Sequence, residues 1–316
     1  MAEIFSLKGR RVWVAGETGM VGRAILRALR DCEILSAPHA ALDLTDQAAT
    51  FAWIKNNRPD VIFMAAARVG GIGANAAQPA DFIRDNLAIA QNVIEGAHRA
   101  DVPRLLFLGS SCIYPRDAAQ PIREDALMTG PLEKTNEAYA VAKIAGLKMC
   151  QFYKAQYGRS YMSAMPTNLY GPYDRFDENA SHVIPAMMMK FHTAVKMRAP
   201  HVFLWGTGTP LREFLHVDDL AAALIRMMEN YNGDAPVNIG SGDEISIAGL
   251  AALMKKVTGF EGSIIYDASR PDGTPRKLLD SSIMRAMDWA PIISLEEGLQ
   301  DVYAWYGAQQ RLRKSA

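Results

Sequence analysis

A run of hydroxyl and thiol side chains follows a short apolar segment in the middle of the chain. Residues 105–108 read Leu-Leu-Phe-Leu, and Gly109, Ser110, Ser111 and Cys112 come directly after them. The apolar run is typical of a buried parallel strand, and ligands of open α/β sheets bind beyond the carboxyl ends of the strands. A polar turn with a small buried cysteine has the same composition. The segment therefore allows a catalytic and a structural interpretation.

Tyr139 and Lys143 form a second candidate pair. They are four residues apart at the start of a segment with helical spacing, so they share one face of the predicted helix. An ammonium beside a phenol favours the phenolate, which predicts a lowered pKa for Tyr139. A structural tyrosine beside a surface lysine has the same spacing. The pair alone does not decide between these two interpretations.

Three glycines near the start of the chain suggest a phosphate-binding turn. They form the pattern Gly16-x-x-Gly19-x-x-Gly22, between an apolar segment at residues 11–15 and a helical pattern at 23–30. Such glycines let the backbone approach a pyrophosphate, and the helix that follows contributes N–H donors. Glycines also build ordinary tight turns. The position at the first strand–helix junction favours dinucleotide binding.

The second predicted strand, residues 32–36, leads into the segment that contacts the adenosine ribose in dinucleotide-binding folds. Residues 36–39 are Ser-Ala-Pro-His, with neither an arginine for a 2′-phosphate nor an acidic residue for a free 2′-hydroxyl. Asp43 is a plausible adenine contact. The alternative is that Asp43 or Thr45 caps the helix predicted over Gln47–Asn57.

Strands and helices alternate along the first half of the chain, which predicts an α/β fold with a doubly wound parallel Rossmann sheet. The 316 residues exceed what one core usually serves, so we expect a smaller α/β C-terminal substrate-binding lobe as well. We place the dinucleotide-binding domain at residues 1–171 with about 214–240. The substrate-binding domain takes about 172–213 and 241–316. Residues 68–73 and 270–277 are expected to be loops.

Charge and cysteine content exclude several classes of protein. Lys plus Arg and Asp plus Glu both number 34, and this zero net charge argues against a general nucleic-acid or anionic-membrane surface. The three cysteines are far apart and form no Cys-x-x-Cys pair, so we expect no disulfide framework, no cysteine metal site and a reducing cytoplasm. Neither a signal peptide nor a membrane span is expected, because long apolar runs are missing.

The three motifs together, in this order, resemble the extended short-chain dehydrogenase/reductase family of nucleotide-sugar enzymes. They are the three glycines, Ser110 four residues before Tyr114, and Tyr139-x-x-x-Lys143. Nearly the whole chain takes part in a closer resemblance to the GDP-L-fucose synthase family, which is carried by residues 15–22, 109–115, 166–172, 181–185, 212–219 and 271–277. That family epimerises GDP-4-keto-6-deoxy-D-mannose at C3 and C5 and then reduces C4 with NADPH.

The resemblance implies a role for each matching residue. Tyr139 would protonate the C4 oxygen, Lys143 would bind the nicotinamide ribose, and Ser110 would hydrogen-bond the C4 oxygen. Cys112 and His182 would be the epimerisation pair. The positions implied for NADP(H) are Gly16, Thr18, Gly19, Met20, Val21, Gly22, Asp43, Leu44, Lys143, Pro166, Asn168, Leu169 and His182. Those implied for the GDP-sugar are Asn168, Val183, Lys190, Trp205, Arg212 and Lys277. No metal is implied.

The same resemblance implies a homodimer in which helices at residues 81–100 and 138–157 pair into a four-helix bundle. Lys190 departs from the arginine of some members, which keeps the charge but loses bidentate recognition. Two alternatives stay open. One is a related GDP-4-keto-deoxysugar epimerase-reductase of the colitose type, which inverts C5 alone. The other is a non-catalytic nucleotide-binding regulator on the same fold.

Overall fold

A computed structural model describes residues 5–177, 181–270 and 272–315, without the side chains of residues 72 and 313–315. Residues 1–4 and Pro271 lie outside this description. The expectation of no signal peptide concerns the first of these, and Pro271 belongs to the loop expected at residues 270–277. In the described part of the chain the strands are, in order, β1 (Arg11–Ala15), β2 (Glu33–Leu35), β3 (Val61–Met64), β4 (Arg104–Leu108), β5 (Ser160–Pro166), β6 (Asn168–Tyr170), β7 (His201–Trp205), β8 (Leu211–His216), β9 (Val237–Ile239), β10 (Glu244–Ser246), β11 (Ser263–Asp267) and β12 (Arg276–Lys277).

The helices separate these strands along the chain. They are α1 (Met20–Ala28), α2 (Gln47–Asn57), α3 (Ile72–Ala77), α4 (Pro79–Arg99), α5 (Glu137–Tyr157), α6 (Val183–Met197), α7 (Val217–Asn230), α8 (Ile247–Thr258), α9 (Ser282–Ala286) and α10 (Leu295–Ser315). None of the helices in the described residues is both long and apolar enough to cross a membrane.

The main sheet has six parallel strands in the order β2-β1-β3-β4-β5-β9. Every residue of β3 and β4 is buried, because helices cover both faces of the sheet. The predicted doubly wound Rossmann sheet is confirmed. The strand order reverses direction between β1 and β3, and this is the position where such folds bind their ligands. Gly16 and Ser110 follow β1 and β4 and so lie at the same edge.

Two separate apolar clusters pack against the two faces of the main sheet. On one face α1 and α7 contribute buried residues such as Ile25, Leu220 and Leu224. On the other face Ile54 of α2 and Leu147 of α5 pack with residues of α4. Each such side chain stabilises the fold by about 1.5–3 kcal/mol relative to an exposed position. The strand ends are therefore fixed from both sides.

A second group of elements lies beyond the main sheet. Strand β8 pairs with β10, β12 and β6, while β7 pairs with β11. Helices α6, α8 and α10 form a third apolar cluster around residues such as Phe191, Met254 and Leu299. The expected smaller α/β part is thus present. The domain boundaries proposed from the sequence stay a prediction.

Three details of the sequence interpretation are corrected by the structure. The expected loop at residues 68–73 contains the start of α3, and the expected loop at residues 270–277 contains β12. Helix α2 is capped by Asp46, whose side chain accepts a hydrogen bond from the Ala49 N–H at 3.0 Å. Asp43 instead accepts from the N–H and hydroxyl of Thr45 and stabilises the preceding turn.

Candidate active site

The glycine-rich turn between β1 and α1 is shaped by close backbone contacts. Gly16 has a φ of +93°, and a Cβ there would lie 2.7 Å from the Ala66 nitrogen. A Cβ on Gly22 would overlap the Gly16 carbonyl. Helix α1 begins at Met20, directly after Gly19, so its first N–H groups face the edge of the sheet. This turn fits a pyrophosphate approached by backbone donors.

Ser110, Tyr139 and Lys143 come together at the carboxyl end of β4. Ser110 follows the strand and its hydroxyl hydrogen-bonds the Tyr139 side chain. Helix α5 starts at Glu137, which places Tyr139 and Lys143 in its first two turns. Lys143 is 4% exposed, donates to the Leu108 carbonyl at 2.7 Å and lies 5.7 Å from the Tyr139 ring centroid. The three side chains form one connected group.

Burial changes the pKa values of this group in opposite directions. It lowers the pKa of Lys143 to about 7, since the charged ammonium is removed from water. Burial raises the pKa of Tyr139, the charge of Cys112 adds to this rise, and the hydrogen bond with Ser110 opposes it. The lowered Tyr139 pKa expected from the sequence is therefore wrong for this structure. Tyr139 keeps its proton near neutral pH and can donate it.

Lys277 lies beside the Cys112 sulfur. Its Nζ donates toward Sγ at 3.7 Å, and both side chains are partly buried. Strand β12 pairs with β8 so that Lys277 is the partner of Arg212. Buried Glu213 accepts hydrogen bonds from the Gly242 and Leu279 N–H groups, which fixes the segment after β12 against β8. An ammonium is thus held next to the sulfur.

His182 is placed at the N-cap of α6 and is exposed. Its charge opposes the effect of burial, which raises the pKa of Asp174. Among the described residues, no hydrogen bond or ion pair joins His182 to Cys112. The epimerisation pair implied by the resemblance therefore stays a prediction.

Four of the residues assigned to the GDP-sugar form two pairs. Lys190 lies 5.7 Å from the Trp205 ring centroid and donates to the Phe203 carbonyl at 3.0 Å. Arg212 and Lys277 are adjacent on β8 and β12. Trp205 is 66% exposed, and the Arg270 guanidinium also lies over its ring, 5.2 Å from the centroid. Val183, which begins α6, packs against the third apolar cluster.

Several assigned positions also have structural contacts. Asn168 donates from its amide to the Glu213 carbonyl at 2.8 Å and thereby links β6 to β8. Pro166 ends β5, and Leu169 lies on β6 against the first apolar cluster. Leu44 is buried under the turn that Asp43 stabilises. Their contacts with a cofactor stay predictions.

Asn136 is a residue that sequence reasoning missed. Its Oδ1 is buried without a partner among the described residues. It lines a cleft together with Cys112, Glu133, Thr274 and Lys277. A buried amide oxygen without a partner costs free energy unless a ligand or water donates to it. The one sequence signal was its position three residues before Tyr139.

Comparison with known proteins identifies relatives along nearly the whole chain. The model of the NAD dependent epimerase/dehydratase family matches residues 12–240. GDP-L-fucose synthase of Sinorhizobium fredii is 54% identical over 302 residues, which cover 95% of this chain and 96% of that protein. Probable GDP-L-fucose synthase 1 of Oryza sativa subsp. japonica is 53% identical over 309 residues, 96% of this chain and 94% of that one.

The fold has a close counterpart among solved structures. A GDP-L-fucose synthetase from Naegleria fowleri bound to NADP superimposes with a TM-score of 0.89 at 26% identity, covering 98% of this chain and 97% of that one. The resemblance identified from the sequence motifs is confirmed by these relatives.

Proposed function

Because this chain belongs to the NAD dependent epimerase/dehydratase family, we propose that it converts GDP-4-keto-6-deoxy-D-mannose to GDP-L-fucose. It inverts C3 and C5 and then reduces C4 with NADPH. The identity with relatives named for this activity supports the substrate. The observation that carries the proposal is the joining of Ser110, Tyr139 and Lys143 at the end of β4, with Cys112 and Lys277 alongside.

The cofactor is NADP(H), which the NADP-bound relative supports. The glycine-rich turn fits its pyrophosphate, since a Cβ at Gly16 or Gly22 would fill the space close to the backbone. Lys143 holds the nicotinamide ribose. When bound, this cofactor supplies the hydride that C4 receives. Asp43, Leu44, Pro166 and Leu169 complete the proposed lining.

Tyr139 supplies the proton of the reduction. The C4 oxygen gains negative charge as hydride reaches the carbon, and the phenol of Tyr139 donates its proton to that oxygen. Ser110 donates a second hydrogen bond to the same oxygen. The raised pKa of Tyr139 keeps the phenol protonated until that moment. Lys143 then returns a proton to the phenolate more easily than an ordinary lysine, because burial weakens its hold on its own proton.

Cys112 is the proposed base of the epimerisation. The C4 ketone acidifies the protons at both C3 and C5, and removal of either gives an enolate. The thiolate of Cys112 takes the proton on one face, and the imidazolium of His182 returns one on the opposite face with inversion. Lys277 lies beside this sulfur, with its Nζ 3.7 Å from Sγ. The same ketone thus serves three steps in one pocket.

The GDP part of the substrate lies along the second group of elements. Trp205 provides an exposed ring, and Lys190 provides an ammonium beside it. Arg212 and Lys277 provide further cations for the diphosphate. Asn168 and Val183 line the sugar end of this site. These local cations are compatible with a net charge of zero, because they occupy a small part of the surface.

The proposal also covers the domain boundaries, the oligomeric state and the cellular location. Residues 1–171 with about 214–240 form the cofactor-binding domain, and about 172–213 with 241–316 form the GDP-sugar domain. The chain forms a homodimer through α4 and α5. It acts in the cytoplasm, which the free thiols of Cys32, Cys112 and Cys150 support.

The test is a product analysis. The protein is incubated with GDP-4-keto-6-deoxy-D-mannose and NADPH in deuterated water, and the nucleotide sugar is identified by NMR. GDP-L-fucose with deuterium at C3 and C5 is expected. A product exchanged at C5 alone would indicate the colitose-type reaction instead. An unchanged ketosugar, with cofactor bound but not consumed, would indicate a regulator.

A further inference from the structure

Glu17 lies where dinucleotide-binding folds contact the adenosine ribose. It is the second residue of the glycine-rich turn, and its carboxylate reaches the end of β2. Its Oε1 accepts a hydrogen bond from the Ser36 hydroxyl at 2.7 Å, and its Oε2 accepts from the Ala37 N–H at 3.3 Å. An acidic group at the end of the second strand hydrogen-bonds the 2′-hydroxyl of NAD in dinucleotide-binding folds. Here the acid comes from the turn and not from the strand.

No lysine or arginine balances this carboxylate in the neighbouring sequence, since residues 33–46 contain neither. The one histidine in this range, His39, acts with its charge on the Asp43 carboxylate. Two basic residues near the same edge are engaged by other groups. Arg23 donates to the Thr18 carbonyl at 2.9 Å and lies over the Tyr173 ring, and Arg68 pairs with Asp85 at 2.6 Å. The 2′-position of a bound cofactor therefore meets one fixed negative charge.

We propose that Glu17 is a specificity-determining residue that lets this chain bind NAD(H) about as well as NADP(H). The inference rests on the proposed function only in that a nicotinamide dinucleotide binds at this edge. Each carboxylate oxygen can accept more than one hydrogen bond, so Glu17 can hold Ser36 and a ribose hydroxyl together. A 2′-phosphate has no proton to share in this way and adds negative charge beside the carboxylate. Repulsion between such charges in a partly exposed site corresponds to roughly a tenfold change in affinity.

Binding of the oxidised cofactors tests this without any GDP-sugar. Isothermal titration calorimetry gives the Kd of NAD+ and of NADP+ for the full chain. We expect the wild-type Kd values to agree within about threefold, or NAD+ to bind more tightly. Glu17→Gln removes the charge but keeps an amide oxygen for Ser36. It should tighten NADP+ binding about tenfold and change NAD+ binding less than threefold.

Glu33→Gln is the matched control. Glu33 is the first residue of β2, at the end opposite to the one that the Glu17 carboxylate reaches. It pairs there with Arg11 at 3.4 Å, so the same charge change should leave the ratio of the two Kd values unaltered. A wild-type preference for NADP+ above about tenfold would overturn the proposal. So would an unchanged ratio in Glu17→Gln, or an equal change in both variants. Because no ketosugar is present, the result does not depend on which GDP-sugar the protein converts.

Discussion

At the scale of single residues, burial gives Tyr139 and Lys143 different protonation near neutral pH. Desolvation raises the pKa of the phenol and keeps it neutral, while it lowers the pKa of the ammonium to about 7. A proton donor must carry its proton when the hydride arrives, and a relay group must release one afterwards. The group around Ser110 meets both conditions. The proposed epimerisation uses two other groups, Cys112 and His182.

If the two chemistries use different residues, single variants should separate them. Tyr139→Phe removes the donor but keeps the ring, so exchange of the C3 and C5 protons with deuterated water should continue while NADPH consumption falls about 10²- to 10⁴-fold. Cys112→Ala should show the opposite loss, with exchange reduced by a similar factor. Deuterium incorporation is followed by NMR and NADPH by absorbance.

Two variants remote from the cluster control for loss of structure. Tyr161→Phe removes a buried phenol that donates to the Val102 carbonyl, and Cys150→Ala removes a buried thiol. Both should retain exchange and reduction. Wild-type exchange in Cys112→Ala would show that Cys112 is a packing residue and not the base.

The shifted pKa of Lys143 predicts a pH dependence of stability. Between the folded pKa of about 7 and the unfolded value near 10.4, the unfolded chain binds more protons, so the free energy of unfolding rises with pH. Lys143→Met lacks this contribution. From pH 7 to pH 9 the wild type should gain on the order of 2 kcal/mol relative to the variant. Urea unfolding at the two pH values measures it, and parallel pH profiles would contradict it.

At the scale of elements, local signals were enough for the main sheet but not for the strands that close the site. Unbroken apolar runs predicted β3 and β4, and the spacing of Tyr139 and Lys143 predicted one helical face. Strand β12 has two residues, Arg276 and Lys277, and exists because β8 pairs with it. No local pattern encodes such a pairing. The contact of Lys277 with Cys112, 165 residues earlier, was therefore not predictable, although each residue was assigned separately.

The cap of α2 shows a second limit. Asp43, Thr45 and Asp46 are all suitable capping residues at this position, and their types alone do not select among them. The structure selects Asp46 because Asp43 is already bonded to Thr45. Competition between neighbouring hydrogen bonds decided the boundary.

The close contact between the glycine-rich turn and α1 at Gly22 predicts that alanine at this helical position lowers the stability of the protein. Within a helix, Gly→Ala normally stabilises by up to about 1 kcal/mol. In α1, however, a Cβ on Gly22 would overlap the Gly16 carbonyl, so Gly22→Ala should destabilise by about 1–3 kcal/mol and weaken NADP+ binding. Urea unfolding and calorimetry measure the two effects.

Gly307→Ala is the control in α10. Its Cβ would meet its nearest neighbour, the Arg311 guanidinium, at 3.8 Å, which is an ordinary contact. It should be neutral or stabilising and leave cofactor binding unchanged. A stabilised Gly22→Ala with normal NADP+ affinity would show that the turn does not need its tight approach to the helix.

At the scale of the whole molecule, α4 and α5 leave apolar side chains on their outer surface. Leu87 is 36% exposed, and Val141 and Phe152 are 39% and 64% exposed. Val141 and Phe152 are eleven residues apart, which places them on the same face of α5. The inner face of the two helices packs on the main sheet. A second copy that covers the outer surface would complete the proposed four-helix bundle.

Because α5 carries Tyr139 at its first turn and Phe152 about 20 Å further along, a dimer through this surface would support the catalytic helix. We expect the wild type to be a dimer by light scattering at micromolar concentration. Phe152→Glu should place a charge in the apolar contact and give a monomer. Ile292→Glu, at a position 88% exposed and remote from α5, should stay dimeric.

The Tm of the wild type should rise with protein concentration and that of Phe152→Glu should not, since association stabilises only folded chains. A wild type with monomeric mass, or a Phe152→Glu variant that remains dimeric, would place the contact elsewhere or remove it.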